Sequence, residues 1–170
     1  MKYYAGIGSR KTPKPILDIM TRVASWLEKQ GYILRSGGAN GADSAFEAGV
    51  ANNSHKEIFL PWKGFNGKNS IYLEPARWTY DIAKDIHPAW NKLTNGAKKL
   101  HARNVHQIMG PSGKEYSEFV IYWTPNIVPS GGTTTAIKLA KILNILTINL
   151  RDPNELNNVI NTINKKGDLL

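Results

Sequence analysis

No cysteine occurs among the 170 residues of this chain. That absence excludes a disulfide framework, a thiolate metal site and a cysteine nucleophile together. No stretch approaches the roughly 20 consecutive apolar residues that a membrane helix needs. The opening segment, Met1-Lys2-Tyr3-Tyr4-Ala5-Gly6-Ile7-Gly8, lacks the long apolar run of a secretion signal and reads as a strand. The expectation is a cytoplasmic protein without membrane contact. No run of five like charges is found, which excludes a basic tail. Metal-ligand spacing, a nucleophile elbow and a Walker phosphate loop are also missing. Metal chemistry and ATP hydrolysis are therefore unsupported, and neither a metal nor a cofactor is expected.

What the chain does contain suits one domain with a sizeable core, since 41% of its residues are apolar. Its 22 Lys and Arg against 13 Asp and Glu give a net charge of +9, with the excess concentrated between residues 61 and 110. Such an excess favours anionic partners, nucleic acid or nucleotides, and serves solubility equally well.

Strand-like and helix-like segments alternate along the sequence. Lys2–Ile7 predicts a first strand, stopped by Gly8-Ser9-Arg10. Ile16, Ile19, Met20, Val23, Ala24 and Leu27 recur at helical spacing, so about 14–30 is an amphipathic helix entered through Pro13 and Pro15 and closed by Gly31. Tyr32–Leu34 is a second strand, Ala42–Asn52 a small-residue helix and Glu57–Leu60 a third strand. Residues 62–94 show no clean period and read as a long aromatic-rich insertion over one end of the sheet. Beyond it, helices are predicted over Asn95–Met109 and Thr133–Leu143, and strands over Glu118–Trp123 and Ile145–Leu150. Asp152 caps a last helix. This alternation predicts a single Rossmann-like domain, a doubly wound α/β fold on a mostly parallel sheet.

Three glycine-rich turns fall at strand ends or helix starts: Gly6-Ile7-Gly8-Ser9-Arg10, Ser36-Gly37-Gly38-Ala39-Asn40-Gly41-Ala42-Asp43, and Ser130-Gly131-Gly132-Thr133-Thr134-Thr135. In an open α/β sheet such points gather at the carboxyl edge, where ligands bind. Glycine lets backbone approach a ligand, and free N–H groups at a helix start suit phosphate. The predicted ligand-binding set is Gly8, Ser9, Arg10, Arg35, Ser36, Gly37, Gly38, Asn40, Gly41, Asp43, Arg103, Asn104, Gly131, Gly132, Thr133, Thr134 and Thr135. Arg10 and Arg35 are candidates to clamp phosphate with their planar forks, although Arg35 equally suits an internal pair with Asp43 or Glu47. Asp43 would repel phosphate, so it is assigned to a ribose hydroxyl or to a capping role. Trp62, Phe65, Trp78 and Trp90 suit either base stacking or core packing.

Taken in order with His101-Ala102-Arg103-Asn104, these segments resemble the SLOG superfamily, which joins the DprA/Smf proteins and the LOG phosphoribohydrolases. The resemblance spans about 3–150. It is nearest to small members, often encoded by bacteriophages, that share Leu60-Pro61-Trp62-Lys63-Gly64-Phe65-Asn66. It implies a Rossmann-like fold that binds nucleotides or nucleotide-derived ligands, commonly as a homo-oligomer; Ile142–Ile148 suits either an interface or the core. LOG enzymes cleave an N-glycosidic bond with an Arg, matched here by Arg103, and a Glu, whose aligned position is near Ile137. Thr134 also replaces a loop glycine of that family.

Three functions follow as expectations. The first is binding, with a role in sequestering a signalling nucleotide. The second is an N-glycosidase or phosphoribohydrolase acting on a nucleoside monophosphate or an NAD-derived compound. Its catalytic candidates are Arg103, Asp43, Glu115 and Glu118, with Glu47 and the histidines His87, His101 and His106 as further acid–base groups. The third, by analogy with DprA, is single-stranded DNA binding.

Overall fold

The computed structural model describes residues 1–126 and 131–165. Its centre is β1 (Lys2–Gly8), whose residues Tyr3–Ile7 are all buried. An unbroken buried run is what a parallel strand covered on both faces requires. Around it lie β2 (Tyr32–Ser36), β3 (Lys56–Ile58), β4 (Phe119–Trp123) and β5 (Leu146–Asn149), in the order β3-β2-β1-β4-β5. Every pairing is parallel, with Ala5 set against Arg35 on one side and Val120 on the other.

Helices cover both faces. On one, α1 (Lys14–Lys29), α2 (Ala42–Gly49) and α6 (Pro153–Lys165) enclose Tyr4, Met20, Leu27, Leu34, Phe46 and Ile121. On the other, α3 (Arg77–Ile86), α4 (Asn95–Met109) and α5 (Thr134–Ile142) enclose Ile7, Val105, Ile108, Val120, Tyr122 and Ile137. The α/β class, the single domain and the doubly wound arrangement expected from the sequence are therefore observed. Among the described residues, no helix is long and apolar enough to cross a membrane.

The chain winds outward from β1 through β2 to β3, then returns by way of α3 and α4 to begin again at β4. Connections leaving the carboxyl ends of β1 and β4 diverge, and a crevice opens between them.

Three element ends differ from expectation by two or more residues, the first being β2, which runs on past Leu34 to Ser36. Helix α2 stops at Gly49, because Asn52 instead caps a 3-10 turn by accepting from the N–H of Ser54. Strand β3 stops at Ile58, beyond which Phe59 pairs with Tyr72 and the Leu60 N–H reaches the Tyr72 carbonyl. Within 62–94, where no period was evident, the structure forms α3 and two 3-10 turns, Phe65–Gly67 and Trp90–Lys92. Thr79 and Ala83 of α3 are buried, and Trp78 packs against His106 of α4. Ile142 and Leu146 are exposed rather than packed in the core.

Candidate ligand cavity at the strand crevice

A cavity of about 430 Å³ occupies the crevice at the carboxyl ends of β1 and β4. Its walls are Gly8, Ser9, Arg10 and Lys11 after β1, Thr124 and Pro125 after β4, and Gly131, Gly132 and Thr133 before α5. Its floor comes from one face of α4, with Leu100, Arg103, Asn104 and Gln107 at helical spacing, together with Ala39 and Asp43. The first and third glycine turns thus meet across one cavity. Ser130 lies outside the described residues.

The first turn is held from two sides. Its Ser9 N–H donates to the Trp123 carbonyl at 3.0 Å, while the Ser9 carbonyl accepts from Thr12 Oγ1 at 2.7 Å and from the Ala42 N–H at 3.3 Å. Gly41 makes that last approach possible. Its φ is +81°, and a Cβ there would lie 2.7 Å from Arg10 Cα and from the Ser9 carbonyl oxygen. Among the described residues, the N–H groups of Arg10, Gly132 and Thr133 make no hydrogen bond, and the side chains of Arg10 and Lys11 pair with no carboxylate. Unused backbone donors beside unpaired cations form an anion-accepting wall.

The second turn is used differently from the sequence expectation. Its N–H groups at Gly37 and Ala39 both donate to Asp43 Oδ2, at 3.1 and 3.3 Å. The chain's own carboxylate fills the place a ligand anion would take. Ser36 Oγ donates to the Gly6 carbonyl, and Asn66 bridges the Gly38 carbonyl and Asn40 Oδ1. Ser36, Gly37, Gly38, Asn40 and Gly41 therefore shape the cavity without lining it.

Arg103 is buried and fixed by the protein. Its Nε donates to Asn104 Oδ1 at 2.9 Å, and its Nη1 donates to the Gly37 and Phe59 carbonyls. Gly37 has no room for a side chain, since a Cβ would collide with Arg103 and with the Gln107 amide. Asn104 Nδ2 donates to the Gly132 carbonyl, tying α4 to the third turn. Burial pushes the Asp43 carboxyl up to about 6 despite the opposing effect of Arg103, and lowers the pKa of Arg103 itself.

Arg35 does not reach the cavity. It lies on the opposite face of β2 from Leu34 and Ser36, where its Nε pairs with Glu57 at 2.7 Å and its guanidinium stacks on Tyr3. The partner is Glu57 rather than Asp43 or Glu47. Glu118 sits at the opposite, amino edge of the sheet and accepts from Tyr32 Oη. Glu115 precedes the same edge and gives its backbone carbonyl to Arg35. Neither acid can act in the cavity. Glu47 is held by Lys68 at 2.5 Å.

Thr134 and Thr135 line a neighbouring cavity of about 370 Å³ with His87, His101 and Lys138. Thr135 Oγ1 bonds His101 Nδ1 at 2.7 Å, and burial lowers the His101 pKa to about 4, with His87 and Arg103 adding to the effect. His106 is structural: its Nε2 accepts from the Ala76 N–H, leaving Nδ1 to donate to the Gly110 carbonyl. Trp62, Phe65, Trp78 and Trp90 make ring contacts with Phe65, Trp62, His106 and Tyr80 respectively, and none lines the main cavity. Sequence reasoning missed Lys11, Leu100, Gln107 and Thr124. For Leu100 and Gln107 the signal was present, because they stand three residues before and four after Arg103. Among the described residues, no group of three or more His, Asp or Glu side chains is placed to hold a metal ion.

No family model and no curated protein matches this chain. Among solved structures it is similar to DNA processing protein A from Helicobacter pylori, a protein described for its single-stranded DNA binding mode. The two are 14% identical with a TM-score of 0.42, over 98% of this chain and 80% of that one. What the present cavity can hold follows from the groups that line it.

Proposed function

We propose that the crevice binds a nucleotide or a nucleotide-derived small molecule, with its phosphate against the turns Gly8–Arg10 and Gly131–Thr133. The observation that carries this reading is the pairing of unused N–H groups at Arg10, Gly132 and Thr133 with the unpaired cations Arg10 and Lys11. The role is to hold the ligand, and sequestering a signalling nucleotide is the use that fits a binder without turnover. The position aligned with the LOG glutamate supports this: Ile137 is buried in the core beneath α5. Native mass spectrometry of protein purified from cells, followed by calorimetry with nucleoside monophosphates and NAD-derived compounds, tests it. A retained or titrating nucleotide is expected. Binding only to oligonucleotides, weakening steeply with salt, would favour a DNA-binding protein instead.

One observation favours a second reading, N-glycosidic hydrolysis. Asp43 lines the cavity beside Arg103, its Oδ1 makes no hydrogen bond, and burial brings its carboxyl up to about 6, in the range of a working acid–base group. Free base released from a nucleoside monophosphate, followed by chromatography, would establish that reading; unchanged nucleotide supports the binder.

A further inference from the structure

We propose that Gln107 reads the base of the bound nucleotide, or an equivalent carboxamide, through its side-chain amide. This rests on the nucleotide reading above and extends it from the phosphate to the rest of the ligand. Gln107 is only 2% exposed and stands one turn beyond Arg103 on the face of α4 that floors the cavity. Its backbone carbonyl is used by Ser117 Oγ, yet its amide makes no hydrogen bond among the described residues. Gln107 is not among the residues whose fully enclosed side-chain polar atoms lack a partner, so its unpaired amide opens to the cavity, and a group seated there is the partner within its reach.

The surroundings show that the space was left for it. Gly37 stands where any Cβ would lie 2.6 Å from Gln107 Nε2. Arg103 and Asn104, the other polar groups of this face, are spent on Gly37, Phe59, each other and Gly132. Gln107 alone on this face offers both a donor and an acceptor. An amide of that kind matches an edge that sets a donor beside an acceptor, as nucleobases and the nicotinamide carboxamide do.

The test compares AMP, nicotinamide mononucleotide and ribose 5-phosphate, which carries the phosphate and sugar without a base. Binding is measured by calorimetry on wild type, Gln107→Leu and Gln107→Met, with melting temperatures alongside. Wild type is expected to bind at least one base-bearing compound about tenfold or more above ribose 5-phosphate. Whichever of the two is preferred names the source of the edge. In both variants that preference falls to about twofold, ribose 5-phosphate binding is kept, and the melting temperature holds because the amide makes no hydrogen bond within the protein to lose. A preference that survives in a folded variant overturns the inference. So does a wild type that binds ribose 5-phosphate equally well, which leaves the phosphate reading standing. Failure of wild type to bind any of the three overturns both.

Discussion

Asp43 and Arg103 grip one residue from opposite ends: the carboxylate accepts the N–H of Gly37, and the guanidinium donates to its carbonyl. Neither charge contacts the other through a hydrogen bond, yet each alters the other's proton affinity across the same turn. The second glycine turn is thereby held rigid by the protein itself, and Arg103 reaches the cavity already oriented.

Arg103→Lys keeps the charge but cannot serve the Gly37 and Phe59 carbonyls together while holding Asn104. A loss of about 1–3 kcal/mol in folding stability is expected, read by denaturant titration. Nucleotide affinity should fall with it. If the hydrolytic reading holds, turnover collapses much further than binding does.

The arginines that flank the first two turns in the sequence separate in the structure. Arg10→Ala should weaken nucleotide binding by about tenfold at unchanged melting temperature, since its side chain is exposed and unpaired. Arg35→Ala leaves Glu57 without its buried partner and should cost about 3–5 kcal/mol of stability. Affinity measured below the melting range should not change. Calorimetry and thermal melts on both proteins check the contrast, and the reverse pattern would remove the cavity assignment.

Glycine substitutions divide similarly. Gly132 has open space around its missing Cβ, so Gly132→Asp should fold normally and lose phosphate binding by repulsion. Gly38 has φ +69° and a Cβ there would stand 2.7 Å from Leu60, so Gly38→Asp should unfold at lower temperature whatever it does to binding. Equal melting temperatures for the two variants would contradict this placement.

Stability between about pH 4 and 6 carries two opposed contributions. Asp43 holds its proton in the folded state up to about 6, whereas the unfolded chain releases it near 3.8, so its contribution is full below that range and lost as pH rises through it. His101 is already neutral in the fold above about 4, while the unfolded chain keeps its proton to about 6.5, so its contribution grows as pH rises. Asp43→Asn retains an acceptor for the turn and should make the slope of melting temperature against pH more positive. His101→Gln should make it more negative. An unaltered slope in Asp43→Asn would show that the carboxyl titrates in its ordinary range.

Particular residues show what the sequence could reveal. The bounds of α4 were legible because Thr94 caps its start, accepting from the Ala97 N–H, and Gly110 closes it with φ +75°. The first turn was legible because a strand end and glycines coincide there, and the third because its glycines stand just before the start of α5. Arg35 misled because a parallel strand buried on both faces gives no alternation from which to tell the face of a single residue. The second turn misled because its competitor for the backbone N–H groups, Asp43, belongs to the same motif. Helix α3 was hidden by its shortness and by the irregular, Gly- and Pro-containing stretches that flank it, although Trp78, Ile82 and Ile86 recur at helical spacing. Gln107 was passed over although its place four residues after Arg103 on α4 put it on the same face, because an amide carries no charge or motif to draw attention to that spacing.

The two turns that face each other and the floor of α4 are supplied by separate stretches of chain, joined at the cavity by the contact of Asn104 with Gly132. If the proposed reading holds, changes at position 107 should alter what shape of ligand fits without disturbing how its charge is gripped, and changes at position 10 should do the reverse. Affinity and selectivity would then be separately adjustable quantities in this protein, and an engineer could recast its choice of ligand from one turn of one helix.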